Sequence, residues 1–115
     1  MGRAKAVFVP TIYLEAFGGV NVEAQLCGTP VICSDFGAFP ETVIHGETGF
    51  LCNTLEDYVR AAKMVEFLDV DVIRAHAERY LMRNVEVEFD YWFKDLYQLF
   101  LSAQDSTVKG WHYLP

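Results

Sequence analysis

Three short, continuously apolar runs, each bounded by proline or glycine, constrain the fold of this chain more than any other feature. They cover Ala6–Val9, Pro30–Cys33 and Phe50–Cys52. Runs of this length without alternation are typical of strands buried on both faces, as in a parallel sheet covered by helices. A helical pattern at Val20–Leu26, stopped by Gly28, separates the first two runs. The order of these segments predicts an α/β fold, namely a partial Rossmann-like domain with a few short parallel strands.

A second, shorter helix and then a purely helical region complete the predicted fold. Pro40 suits the first turn of a short helix at Glu41–Ile44, because the amide that proline lacks has no helical partner there. The later predicted helices span Thr54–Phe67, which opens with a capping box, Val70–Arg83 and Glu88–Ser102. We therefore expect one partial domain over residues 1–103, with an α/β region at 6–52, helices at 54–103 and a tail at 104–115.

The charge of the chain argues against several classes of partner. The 115 residues are 52% hydrophobic and carry a formal net charge of −7, which disfavours nucleic acid or an anionic membrane surface. No apolar run approaches the roughly 20 residues of a membrane span, and the amino terminus does not match a signal peptide. These features predict a cytoplasmic protein. Neither Lys nor Arg occurs between Ala6 and Val59, although that stretch is rich in Asp and Glu.

Two residue types could bind a metal ion, but neither has the spacing of a metal site. The cysteines and histidines are Cys27, Cys33, Cys52, His45, His76 and His112. The cysteines are odd in number and form no Cys-x-x-Cys pair, so we expect buried, reduced thiols. The histidines are far apart in the sequence, and we expect each to lie at the surface or in a loop. The sequence therefore predicts no metal ion.

The segment after the first predicted strand carries the strongest signal for a ligand. In open α/β sheets, ligands bind beyond the carboxyl ends of strands, and the amides at the start of a helix attract phosphate. Gly18 and Gly19 open the predicted helix, Glu15 precedes them, and Glu23 lies roughly 6 Å along the helix axis from Gly19. This arrangement suits a phosphate with a hydroxylated ring on each side. The alternative is a loop charge and a solvated helix charge without a ligand.

A longer series of motifs resembles glycosyltransferase family 4, whose members have the GT-B fold. The series contains Glu15-Ala-Phe-Gly-Gly-Val-Asn-Val-Glu23, then Gly28-Thr-Pro-Val31, Gly37-Ala-Phe-Pro-Glu41 and Gly46-Glu-Thr-Gly-Phe-Leu51. The resemblance covers residues 9–52 and identifies the chain as the carboxyl-terminal part of the donor-binding domain. Two positions depart from the family pattern. Thr11 replaces a serine, and Ala38 replaces the second glycine of a pair whose first member, Gly37, can still adopt positive φ.

The resemblance implies a role for each matching residue. Glu15 would contact the donor sugar and act as the catalytic residue, and Glu23 would bind the ribose hydroxyls of a nucleotide sugar, such as a UDP- or GDP-sugar. The backbone at Phe17, Gly18 and Gly19 would lie against sugar and phosphate. Family members transfer the sugar with retention of configuration and use neither a metal nor another cofactor, because protein cations and helix amides neutralise the leaving diphosphate.

The same resemblance implies that parts of the enzyme are missing from this chain. The acceptor domain and the Arg and Lys that hold the diphosphate lie upstream in the family, and Arg3 and Lys5 are the nearest cations in this sequence. We expect the chain to be inactive alone and to need that domain or a separate subunit. The alternative is a non-catalytic, homodimeric interaction module whose exposed sheet edge is covered by a second copy.

The sequence allows two interpretations for each of several other polar and aromatic residues. Asp35 is either a turn residue or part of the donor pocket, and Glu41 either favours a helix start through the helix dipole or contacts a ligand. Aromatic and apolar residues with helical spacing near Trp92 and Phe93 predict core or a domain interface.

Overall fold

A computed structural model of the chain describes residues 1–103. They fall into two compact units, Met1–Tyr80 and the chain from Leu81 onward. The first unit contains β1 (Val7–Val9), α1 (Gly19–Leu26), β2 (Val31–Ser34), α2 (Phe39–Thr42), β3 (Gly49–Cys52), α3 (Leu55–Met64), a 3-10 turn (Val65–Phe67) and α4 (Val70–Glu78). The second unit contains α5 (Met82–Ala103). The predicted tail and His112 lie outside the described residues.

The three strands form one parallel sheet in the order β1-β2-β3. Val7 pairs with Val31 across the first two strands, and Ile32 pairs with Phe50 across the second and third. Each crossover between neighbouring strands contains a helix, as parallel pairing requires. The predicted α/β class, a partial Rossmann-like domain with few short parallel strands, is confirmed.

Successive side chains of β2 point to opposite faces of the sheet, and each face is buried in its own apolar cluster. Val31 and Cys33 pack with Ala24 of α1 and Phe39 of α2. Ile32 points to the opposite face, where it packs with Cys52 of β3, Ala61 of α3 and Val65 of the 3-10 turn. Because successive strand residues face opposite sides, a continuously apolar strand is stable only when helices cover both faces.

The carboxyl end of α1 is fixed by a glycine. Gly28 has φ of +73°, and its amide donates to the carbonyl of Gln25 while the Thr29 amide donates to that of Ala24. This pair of bonds is the Schellman motif, which satisfies carbonyls that the helix leaves open. The predicted stop at Gly28 is confirmed, and the chain turns there directly into β2.

The amino end of α3 has the predicted capping box. The Asp57 amide donates to Thr54 Oγ1 over 3.2 Å, and the Thr54 amide donates to Asp57 Oδ2 over 2.9 Å. The Thr54 hydroxyl also donates to Asp57 Oδ2 over 2.8 Å, and this bond, followed by those from the Thr54 and Asn53 amides, lowers the pKa of the Asp57 carboxyl. The helix ends earlier than predicted, at Met64, and continues only as the 3-10 turn to Phe67.

The predicted helix over Val70–Arg83 misses a break at residues 79–81. α4 ends at Glu78, and α5 begins at Met82 and not at Glu88. The chain leaves the helix where the Tyr80 hydroxyl donates to the carbonyl of Glu41, 39 residues earlier in the sequence. A tertiary contact therefore overrides local helix propensity, and the continuous helical spacing of the sequence gives no sign of the break.

The aromatic residues of α5 are not core. Trp92 and Phe93 are more than half exposed, at 55% and 59% of their surface, and their rings meet edge-on with centroids 4.9 Å apart. The prediction that these aromatic residues belong to a core is therefore wrong. The alternative, that they form a domain interface, stays a prediction.

Candidate functional site

Residues Glu15–Gly18 form the loop before α1, which we call the Glu15 loop. The turn that follows β2 holds the first residue of this loop. The Ala38 amide donates a 3.0 Å hydrogen bond to the Glu15 carbonyl. A Cβ atom on Gly37 would lie 2.7 Å from both the nitrogen and the oxygen of Glu15, and Gly37 has φ of +62°. The expectation that Gly37 adopts positive φ is therefore confirmed. Ala38 has φ of −81°, which alanine adopts without strain, so its replacement of a glycine leaves the turn intact.

The last residue of this loop is also fixed by packing. Gly18 has φ of +77° and is the N-cap of α1. A Cβ atom there would lie 2.6 Å from Cε1 of Phe39, a ring that is almost fully buried in the core. The Glu15 loop is thus held at its first residue by the turn before α2 and at its last residue by Phe39 of α2.

The amino end of α1 carries an uncompensated positive dipole. No side chain caps it, and its first turn contains no acidic residue. Helix amides at such an end attract an anion, and the effect is strongest within the first turn. Gly19 begins the helix and has no side chain of its own beside its amide.

The two candidate glutamates differ in their surroundings. Glu15 is half-buried in the loop, and Glu23 is exposed on α1. Helix residues on both sides of Glu23, including Asn21, Val22, Ala24 and Gln25, are buried. Glu23 therefore points outward from a helix that is otherwise packed into the fold. The assigned roles of Glu15, Phe17, Gly18, Gly19 and Glu23 stay predictions.

Two residues that the sequence did not single out lie beside the Glu15 loop. The ring of Tyr80 meets that of Phe17 edge-on, with centroids 5.6 Å apart. Arg79 donates through Nη2 to the Glu41 carbonyl over 2.8 Å and to the Tyr80 hydroxyl over 2.7 Å. The sequence offered only Arg3 and Lys5 as nearby cations, but folding brings Arg79 into contact with Tyr80, the residue that touches the Glu15 loop.

A chain of hydrogen bonds joins α1 to α2 and α4. Gln25 Nε2 donates to the Thr42 carbonyl over 2.7 Å, and Gln25 Oε1 lies 2.9 Å from His76 Nδ1. Because the amide oxygen only accepts, Nδ1 carries the proton of the neutral ring. Burial, followed by the charge of Arg79, lowers the pKa of His76. The prediction of a surface or loop position for His76 is wrong, since its ring packs between two helices.

The cysteines are free, but only two are buried. Burial raises the pKa of Cys33 to about 12, with a smaller lowering by the amide of Asn21. That amide is itself fully buried and makes no hydrogen bond of good geometry with the described residues. Cys27 is exposed, contrary to the prediction, because it lies at the C-cap of α1. A neutral, buried Cys33 thiol is unsuited to nucleophilic chemistry.

A separate cavity of about 350 Å³ opens where the three strands end. Asp35 lines it together with Thr11 and Tyr58, and the Asn53 side chain donates to Asp35 over 3.3 Å. Asp35 is therefore both part of a turn and a cavity residue.

Residues 1–103 contain no cluster of three His, Cys, Asp or Glu that could hold a metal ion, and none of their helices is long and apolar enough to cross a membrane.

The sequence matches a family model described as glycosyl transferases group 1 over residues 1–80. The chain belongs to this family. The match contains the whole first unit, including the Glu15 loop, α1 and the Arg79–Tyr80 pair. The resemblance that the motifs indicated is confirmed.

Individual relatives within this glycosyltransferase family agree with the match. The D-inositol 3-phosphate glycosyltransferase of Streptomyces avermitilis is 37% identical over 84 residues, which are 73% of this chain and 18% of the relative. The alpha-maltose-1-phosphate synthase of Mycolicibacterium smegmatis is 45% identical over 78 residues, 63% of this chain and 20% of the relative. The phosphatidyl-myo-inositol mannosyltransferase of Mycobacterium leprae is 38% identical over 86 residues, 75% of this chain and 22% of the relative. The chain therefore spans only 18% to 22% of the length of these relatives.

Proposed function

We propose that this chain is the donor-binding part of a retaining glycosyltransferase and binds a nucleotide sugar at the amino end of α1. One observation carries the proposal. The helix starts at glycines, without a side-chain cap or an acidic residue in its first turn, so its amides are available to a diphosphate. Membership of the glycosyltransferase group 1 family supports the choice of ligand.

Each predicted site residue has a role in this proposal. Glu15, held by the Ala38 amide, accepts hydrogen bonds from hydroxyls of the donor sugar and is the catalytic residue. The backbone at Phe17, Gly18 and Gly19 lies against the sugar and the diphosphate. Glu23, exposed on α1, accepts hydrogen bonds from the two ribose hydroxyls, as carboxylates do well.

The transfer reaction needs more than this site. Charge develops on the diphosphate as the sugar leaves, and helix amides together with cations stabilise it without a metal ion. Arg79 is one candidate cation, because it contacts Tyr80, whose ring touches the Glu15 loop. The acceptor site and further cations would come from another segment of a longer chain or from a separate subunit. We propose that the 115 residues alone bind the donor but do not transfer its sugar.

Isothermal titration of the chain with UDP-glucose and GDP-mannose tests the proposal. We expect a submillimolar dissociation constant for at least one donor, and a clear loss of affinity in Glu23→Gln, which removes a charge and keeps the size of the side chain. Glu66→Gln is the matched control, because Glu66 is an exposed glutamate in the 3-10 turn after α3. No binding by the wild-type chain, or equal losses in both variants, would refute the proposal.

A non-catalytic, homodimeric module is the second candidate, and one observation favours it. Three consecutive apolar residues, Ile12, Tyr13 and Leu14, are exposed at 97%, 67% and 66% of their surface. Exposed apolar clusters of this kind often mark protein contacts. Light scattering across a range of concentrations would detect a stable dimer, and replacing Leu14 with Ser would disrupt it. A monomer at all concentrations would exclude this candidate.

A further inference from the structure

The side chain of Tyr80 contacts two segments that are distant in the sequence. Its ring lies edge-on to Phe17 of the Glu15 loop, and its hydroxyl donates a 2.9 Å hydrogen bond to the carbonyl of Glu41 in α2. α2 is the helix on which the Glu15 loop sits, since Phe39 packs against Gly18. One side chain after α4 therefore connects the loop to its support.

Arg79 holds the Tyr80 ring in this position. Its guanidinium carbon lies 4.7 Å from the centroid of the ring, and Nη2 donates to the Tyr80 hydroxyl over 2.7 Å. The same nitrogen donates to the Glu41 carbonyl. A cation over an aromatic face and hydrogen bonds from a charged donor are each attractive, so Arg79 restrains the ring in two ways, in addition to the bond from the Tyr80 hydroxyl to Glu41 and the contact with Phe17.

Phe17 depends on this contact more than the other loop residues do. The carbonyl of Glu15 is bonded to Ala38, and Gly18 is packed against Phe39. Phe17 lies between them, is 48% exposed, and has the ring of Tyr80 as an aromatic neighbour. The ring of Tyr80 thus restrains the residue that directly precedes the first glycine of α1.

We propose that Tyr80 is a positioning residue that fixes Phe17, and with it the amides of Gly18 and Gly19, for the donor. This inference rests on the proposed function, because those amides matter only if an anion binds to them. Groups that already have the binding geometry lose less conformational freedom when the ligand arrives. Removing the Tyr80 ring should therefore weaken donor binding without removing any group that touches the donor.

Amide NMR spectra of the 115-residue chain test the positioning step without a ligand. In Tyr80→Leu we expect the resonances of Phe17, Gly18 and Gly19 to shift and broaden, because a ring next to them is lost. Tyr80→Phe keeps the ring and loses the hydroxyl, so smaller shifts are expected at the same amides. Unchanged resonances in Tyr80→Leu would overturn the inference. Should that variant not fold, Tyr80→Phe decides it, because losing the hydroxyl releases the ring from Glu41 and from the hydrogen bond of Arg79, and unchanged resonances there would show that the anchored ring does not fix the loop.

Donor affinity is the second measurement, with Ile73→Val as the matched control. Ile73 is fully buried on α4, so its change lowers stability without altering the contact with Phe17. Loss of an aromatic pair corresponds to about a two- to tenfold weaker affinity for UDP-glucose or GDP-mannose in Tyr80→Leu. An affinity no weaker than that of Ile73→Val would contradict the inference. A wild-type chain that binds neither donor would refute the proposed function, while the amide spectra would still decide whether Tyr80 fixes the loop.

Discussion

At the scale of single residues, packing within the fold requires glycine at positions 18 and 37. The sequence explained Gly18 and Gly19 by the close approach of an anion to the backbone. In the folded chain, Gly18 leaves room for the ring of Phe39, and Gly37 leaves room for the backbone of Glu15. Both contacts hold the Glu15 loop, so a side chain at either glycine would displace the loop before any ligand arrives.

Gly18→Ala should therefore destabilise the chain more than an alanine at a glycine with only a positive φ. Gly46 supplies that control, because it has φ of +82° and no atom lies within 4 Å of its ideal Cβ position. Positive φ costs a non-glycine residue about 1–3 kcal/mol, and Gly18→Ala adds the clash with Phe39. Urea unfolding of both variants measures the difference. Equal losses of unfolding free energy would show that the Phe39 contact relaxes at no cost.

At the scale of helices and strands, the sequence predicted the helix ends that are fixed by contacts between neighbouring residues. Gly28 ended α1 and the Thr54–Asp57 capping box opened α3, as predicted, because each involves hydrogen bonds between residues close in the sequence. The end of α4 was mispredicted because Tyr80 bonds to a carbonyl 39 residues away. The burial of His76 did have a local signal. It stands three residues after Ile73 and directly before Ala77, on the face of α4 that is buried.

The half-buried ring of His76 on α4, which bonds to Gln25 of α1, predicts a loss of stability in acid. Folding lowers the pKa of His76, so the unfolded chain binds a proton at a higher pH than the folded chain does. The stability is fully present above the unfolded pKa of about 6.5 and falls as the pH decreases toward the lower, folded pKa. Urea midpoints at about pH 7.5 and 5.5 measure this difference.

A pair of variants in α4 isolates the contribution of His76. His76→Gln should reduce the difference between the two midpoints, because the group that titrates is gone. Ile73→Val should keep the wild-type difference, since it is a buried change on α4 that removes no group that titrates. A wild-type difference that survives in His76→Gln would show that other groups cause the loss of stability.

At the scale of the whole molecule, the family was predictable from the sequence and the charge balance of the site was not. Motifs over residues 9–52 identified a glycosyltransferase, and the family match over residues 1–80 confirms it. The absence of Lys and Arg between Ala6 and Val59 suggested a site without local cations. Folding brings Arg79 to α2, 38 residues away from Glu41 in the sequence. Only the antiparallel packing of α4 along α1, with Val70 near Gly28 and Tyr80 near Phe17, produces that proximity.

The most direct test of the central proposal is an NMR titration of the chain with UDP-glucose and with GDP-mannose. We predict that the largest amide shifts occur at Gly18, Gly19 and Val20, where helix amides would meet the diphosphate. Amides near Asn53, at the cavity beyond the strand ends, should change little. Shifts concentrated at that cavity, or no shifts with either donor at millimolar concentration, would contradict the proposal that the amino end of α1 binds a nucleotide sugar.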